Sequence, residues 1–172
     1  VQALANTLPL ITLIAHGVFL VVFVSILFRD SWGGSVTVWI GKHSLVLVFL
    51  VSLLAVLGSL FYSNFVGFSP CELCWWQRVF LYPIPFITGI ALLKKESTAF
   101  VYSVPLALVA GIIALYHSYV NLGGVSILPC TAVGGECSRL YVMAFGYITI
   151  PMMSLTVALY ILLIAWAKKL YA

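Results

Sequence analysis

Long apolar runs broken by short polar punctuation dominate the chain. The first extends from about Leu8 to Phe28 and is closed by Arg29 and Asp30; the second extends from about Ser44 to Val66, and neither contains Lys, Arg, Asp or Glu. A third run, Val79 to Leu93, covers 15 residues before Lys94, Lys95 and Glu96 stop it. At about 1.5 Å rise per residue that is too short for a ~30 Å hydrocarbon core, so this span must borrow Cys74, Trp75 and Trp76. A fourth run is predicted from about Thr98 to Leu122, and a fifth from about Leu140 to Ala167, ending in Lys168 and Lys169. Pro83, Pro85, Pro105 and Pro151 fall inside these runs. They are tolerable there, because neighbouring helices re-satisfy the freed carbonyls.

Composition removes the alternatives to a membrane protein. Of 172 residues, 64% are apolar and 7% charged, with a mean hydropathy of +1.21. Soluble domains carry about 45–50% apolar and roughly 25% charged residues, so a water-facing surface cannot be assembled from this chain. A cytosolic enzyme, a disordered segment and a nucleic-acid-binding module are all excluded. The net charge of +4 comes from eight basic residues scattered over an apolar chain, which make no phosphate-binding stripe. The expected fold is an all-α integral membrane protein with lipid as its main surroundings.

Five spans place Arg29, Lys42, Lys94, Lys95, Lys168 and Lys169 on one side, in the loops 29–43 and 94–97 and at the C-terminal end. Only Arg78 and Arg139 fall on the other. Basic residues accumulate in short cytoplasmic loops, so this split puts the loops 67–74 and 123–139 outside the cytoplasm, together with all four cysteines. The first span has no basic residue before it and reads as a retained helix rather than a secretory signal.

The cysteines are the candidate chemistry. Cys71 and Cys74 form a C-x-x-C at the outer mouth of the third span, and Cys130 and Cys137 share the other outer loop. Residue types and spacing leave three readings open: two structural disulfides, a zinc site of four thiolates, or a redox relay. The redox reading rests on the small reducible ring that C-x-x-C closes and on the helix N-terminus, whose amides favour a thiolate. Arg78 lies one helical turn beyond Cys74, on the same face. It is either an anchor for lipid phosphate or a partner for a group that becomes anionic during turnover. Trp75, Trp76 and Tyr82 beside it would serve as interfacial anchors or line a slot for a flat ring. His117, near the outer end of the fourth span, lies at the level of Cys74 and Arg78, as a helix-packing residue or part of that slot. His16 and His43 are placed out of reach of the cysteines.

The stretch Pro70-Cys71-Glu72-Leu73-Cys74-Trp75-Trp76-Gln77-Arg78 closely resembles the motif of the DsbB/BdbC family of membrane thiol:quinone oxidoreductases, in particular its BdbC-like branch from Gram-positive bacteria. Leu57-Gly58-Ser59-Leu60 and Gly146-Tyr147-Ile148-Thr149-Ile150-Pro151 resemble that branch too, and the similarity covers about residues 45 to 167. The resemblance implies a four-helix transmembrane bundle that takes electrons from a soluble thioredoxin-fold thiol oxidase, DsbA-like or BdbD-like, and delivers them to a membrane quinone, menaquinone or ubiquinone. By position, Cys130 would form the mixed disulfide with that partner and Cys137 would be its disulfide mate. Cys71 would exchange with the loop pair. Cys74 would contact the quinone, with Arg78, Trp75 and His117 around the ring. The implied organisation is an extra N-terminal span and inner loop, residues 1–43, ahead of a catalytic bundle, residues 44–172.

Three departures from the family pattern stand out. Segment 1–43 adds a span to the four of the family core, the second cysteine pair is closely spaced, and Gln77 stands where many members carry Glu. A vitamin K epoxide reductase-like protein would also have two cysteine pairs, but with the C-x-x-C after the loop pair rather than before it. A structural or transport protein with stapled loops would need more polar residues along its spans than His16 and a few Ser and Thr.

Overall fold

The computed structural model describes residues 2–96, 98, 100–125 and 137–171. Among the described residues six α-helices follow one another: α1 (Gln2–Leu27), α2 (Gly34–Leu60), α3 (Glu72–Leu81), α4 (Pro83–Lys94), α5 (Phe100–Asn121) and α6 (Ile150–Tyr171). A π-helical turn at Arg29–Gly33 links α1 to α2, and a second, Phe61–Phe65, extends α2. Helices α3 and α4 meet at Tyr82, where Pro83 occupies the first position of α4. There the missing N–H of proline costs least. Together they make one span, so five stretches are long and apolar enough to cross a membrane: Thr7–Leu27, Arg29–Phe65, Glu72–Lys94, Phe100–Asn121 and Ile150–Tyr171. The chain is an all-α multi-pass membrane protein, as its composition requires.

Helix α6 packs on both α2 and α5, while α3 lies on α5 and α4 on α2. These four spans form a bundle, and α1 lies outside it against α2 and α6. Small residues at the crossings let the backbones approach. A Cβ on Gly111 would stand 3.3 Å from that of Ala158, and Ala107, Ala110 and Ala167 are fully buried. Close packing matters because lipid tails are as apolar as leucine, leaving dispersion and hydrogen bonds to hold the helices. Large apolar side chains such as Leu10, Ile14, Leu54, Ile90 and Ile112 face outward accordingly. Buried Ser52, Thr88 and Ser118 return their hydroxyls to the carbonyl one turn back, which removes the cost of an unpaired polar group.

Two boundaries differ from the sequence reading. The segment 29–43, expected as an inner loop, is helical, and α2 begins at Gly34 rather than near Ser44. Its small and polar residues form a packing face: Thr37, Gly41 and Ser44 are buried, and a Cβ on Gly41 would come within 2.4 Å of Tyr171. The fifth span starts at Ile150, ten residues later than Leu140. Between them the chain turns tightly, with φ +52° at Phe145, φ +77° at Gly146, and a bridge joining Ala144 to Ile148. Gly146 takes a left-handed conformation that disfavours helix continuation.

Candidate active site

The proline and cysteine of Pro70-Cys71 bring an extended chain to the start of α3. Cys71 is the N-cap of that helix, with φ −73° and ψ 174°, and its Sγ accepts the N–H of Cys74 at 3.4 Å. One turn of helix places the two sulfurs 3.1 Å apart, and both are free thiols. From this shared corner the cysteines face different neighbours.

Cys71 turns inward. It is buried with Leu73, Val120 and Cys137 in one cluster, 3.6 Å from Nε2 of His117. Cys137 is disulfide-bonded; Cys130 lies outside the described residues. The Cys137 carbonyl accepts two hydrogen bonds, from Nε2 of His117 at 3.1 Å and from Nδ2 of Asn121 at 2.6 Å. A carbonyl cannot donate, so Nε2 of His117 carries the proton. Its Nδ1 is then an acceptor for the Gln77 amide, 3.0 Å away. Buried Gln77 thus supports the tautomer whose N–H is shared by the Cys137 carbonyl and, at longer range, the Cys71 sulfur. The Cys71 thiol is held well below the usual thiol range by the Cys74 hydrogen bond, with help from His117 and the Cys74 N–H, against burial that alone would raise it.

Cys74 packs against the same cluster and, unlike Cys71, also lines a cavity of about 350 Å³. Ser59, Gln77, Arg78 and Tyr82 share its end of that cavity, and the remaining walls are mainly apolar, with Leu8, Ile11, Val51, Leu54 and Val157 among them. Arg78 is held by α2: its Nε donates to Ser59 Oγ at 3.1 Å and its Nη2 to the Ser59 carbonyl at 3.3 Å. Tyr82 donates to the same Ser59 hydroxyl at 3.1 Å. The guanidinium also lies 5.2 Å from the Trp75 ring centroid and 5.9 Å from that of Tyr82. These cation–π contacts need no solvent and suit a charge at the membrane boundary.

Of the residues expected around a flat ring, Cys74, Arg78 and Tyr82 line this cavity. Trp75 does not: it is exposed on the outer face of α3, where it touches Arg78 from the lipid side. His117 does not either; it is buried and committed to Cys71, Gln77 and Cys137. Trp76 is exposed. Two participants were not identified from sequence. Ser59 lies in the family-like stretch Leu57–Leu60, but nothing local shows that it receives Arg78. Asn121 could have been found, because it stands four residues after His117 and therefore on the same face of α5.

A helical membrane bundle with a free C-x-x-C between a disulfide-bonded loop and an apolar cavity defines a class of membrane-embedded thiol oxidoreductase. The family model for "Disulfide bond formation protein DsbB" matches residues 41–168, and the chain belongs to that family. Relatives include the SPbeta prophage-derived disulfide bond formation protein B of Bacillus subtilis, 42% identical over 113 residues, covering 66% of this chain and 76% of that protein. Disulfide bond formation protein C of the same organism is 40% identical over 108 residues, 62% of this chain and 78% of the relative. Probable disulfide formation protein C 2 of Bacillus cereus is 30% identical over 131 residues, 76% and 94% respectively. No solved structure matches. The chain is a disulfide-forming membrane protein.

Proposed function

We propose that this protein is a thiol:quinone oxidoreductase that reoxidises a soluble thioredoxin-fold thiol oxidase, DsbA-like or BdbD-like, outside the cytoplasm of a bacterial cell. The observation that carries the reading is that Cys71 is buried beside Cys137, while its neighbour Cys74, packed on the same cluster, also lines the cavity. Two adjacent sulfurs therefore connect two compartments of the site without any large movement of the bundle.

The cavity fits a quinone. Its volume lies within the usual range of small-ligand pockets, about 300–1,000 Å³, and its apolar walls suit an isoprenoid tail. Arg78 and the hydroxyls of Tyr82 and Ser59 gather at the Cys74 end, where ring oxygens would gain charge. A bound quinone supplies a two-electron, two-proton acceptor. Arg78 stabilises negative charge on the cavity side, and His117 stabilises the Cys71 thiolate on the loop side. Each exchange is balanced: the partner's dithiol becomes a disulfide as the loop pair is reduced, and the loop pair is reoxidised as Cys71 and Cys74 become thiols. Two electrons and two protons then leave Cys71 and Cys74 as their disulfide re-forms. By the family's pattern the partner's thiolate attacks Cys130.

The charge distribution supports this sidedness. Lys168 sits over the Phe100 ring at 4.3 Å, which places the end of α6 beside the start of α5, at the end of the bundle away from the cysteines. Six of the eight basic residues belong to that end, and basic loops are retained in the cytoplasm. The test is reconstitution with a quinone and a reduced thioredoxin-fold thiol protein, following quinone absorbance. Absorbance should fall only when both are present; a fall without the thiol protein, or none with it, counts against the proposal.

A further inference from the structure

Helix α1 precedes the family match at residues 41–168, yet it contributes a wall of the cavity that Cys74 faces. Leu8, Ile11, Thr12 and Ala15 line that wall, across from Cys74 and Arg78. The helix is fastened at the same level by polar contacts that are costly to build in a membrane unless fully satisfied. His16 Nε2 lies 2.8 Å from Thr156 Oγ1, and the Thr156 hydroxyl already donates to the Met152 carbonyl at 2.8 Å. The imidazole must therefore donate at Nε2, which leaves Nδ1 to accept from the Tyr147 hydroxyl at 3.1 Å. Tyr160 adds a third tie, donating to the Ala15 carbonyl. Every polar atom of the His16 ring is thus used in holding α1 to α6 and to the turn before it.

We propose that α1 is the lipid-side wall of the electron-acceptor cavity, bolted by His16, and that it sets the affinity and choice of quinone. This rests on the cavity being the quinone site. Without α1, the side lined by Val51 and Val157 would open further to lipid, which Leu54 already meets. With it, a tail must leave past Leu8 and Ile11, so side-chain size at these positions meters what enters.

The test combines labelling and kinetics on the full chain in membranes. A photoreactive quinone analogue should label the α1 peptide carrying Leu8–Ala15. Ile11→Trp, which fills the cavity from α1, should raise the apparent quinone KM about ten-fold with kcat largely retained, because ground-state and transition-state binding are lost together. Ile14→Trp, as exposed as Ile11 but outside the cavity lining, should leave both unchanged. His16→Leu, which unbolts the helix, should raise KM by less than Ile11→Trp and narrow the difference between quinones of different tail length. Labelling that avoids α1, or equal effects of Ile11→Trp and Ile14→Trp, overturns the wall. Arg78→Met distinguishes the two layers: a raised KM in that variant with none in Ile11→Trp sinks α1 alone, whereas an unchanged KM in both sinks the quinone site.

Discussion

Ser59 is a small residue on which the geometry of the cavity depends. Its hydroxyl oxygen accepts from both Arg78 Nε and Tyr82, while its carbonyl holds Arg78 Nη2. Ser59→Ala removes the two bonds to the hydroxyl and leaves the carbonyl contact and the aromatic rings of Trp75 and Tyr82 around the guanidinium. A neutral hydrogen bond is worth about 0.5–1.5 kcal/mol net and one from a charged donor about 1.5–3. The site is only half-buried, so the lower ends apply, and the sum is about 2 kcal/mol of lost orientation. That corresponds to roughly thirty-fold in apparent quinone affinity. The assay is steady-state quinone reduction over a range of quinone concentrations, paired with single-turnover exchange between the partner and the loop cysteines. KM should rise, exchange should be unchanged, and Ser59→Thr, which keeps the hydroxyl, should restore most of the affinity. If Ser59→Ala left KM unchanged while Arg78→Met raised it, the guanidinium would be held by its rings and the Ser59 argument would be wrong.

Arg78→Met should itself slow quinone reduction and raise the quinone KM by roughly ten- to a hundred-fold, with Arg78→Lys between it and the parent, since lysine keeps charge but not the planar fork; an effect confined to protein level in the membrane would make Arg78 an anchor instead. The ultraviolet absorbance of the reduced protein should show a Cys71 thiolate persisting below the usual thiol range, and His117→Leu should move that titration upward. Because the folded-state value is depressed, the thiolate's contribution to stability is present above the ordinary thiol pKa and is lost as pH falls through the lowered one. In a background without native cysteines, Val125→Cys should react with an impermeant maleimide in intact cells and Glu96→Cys only after the membrane is opened. The reverse pattern would invert the topology.

The five spans were legible because bilayer thickness imposes a length on every apolar run, and lipid leaves few other folds available. The boundaries at Gly34 and Ile150 were harder to read, for opposite reasons. Thr37, Gly41 and Ser44 look like loop residues yet are a packing face, and Leu140–Thr149 looks like a span yet turns at Gly146. The place of the C-x-x-C at a helix start and of Arg78 one turn beyond it was legible from local spacing, which left their chemistry open. Trp75 and His117 were placed at the cavity by depth, which sequence conveys well. Azimuth around the helix decided their roles, and it depends on how α3 packs against α5. Ser59, on another helix, is tied to Arg78 only through tertiary contact. Gln77, a departure from the family pattern, uses its amide to hold Nδ1 of His117 as an acceptor, which only the packing of α3 on α5 reveals.

The central claim is that Cys71 serves the loop pair and Cys74 serves the cavity. Disulfide mapping under non-reducing conditions tests it directly in two single variants. In Cys74→Ser, the Cys71 thiolate can attack the loop disulfide, releasing one loop thiol, and no Cys74 remains to resolve the product. Peptide mass spectrometry should therefore find Cys71 joined to a loop cysteine in Cys74→Ser, and no such bond to Cys74 in Cys71→Ser. A Cys74–loop disulfide forming readily in Cys71→Ser, with none to Cys71 in the other variant, would reverse the two roles and contradict the account.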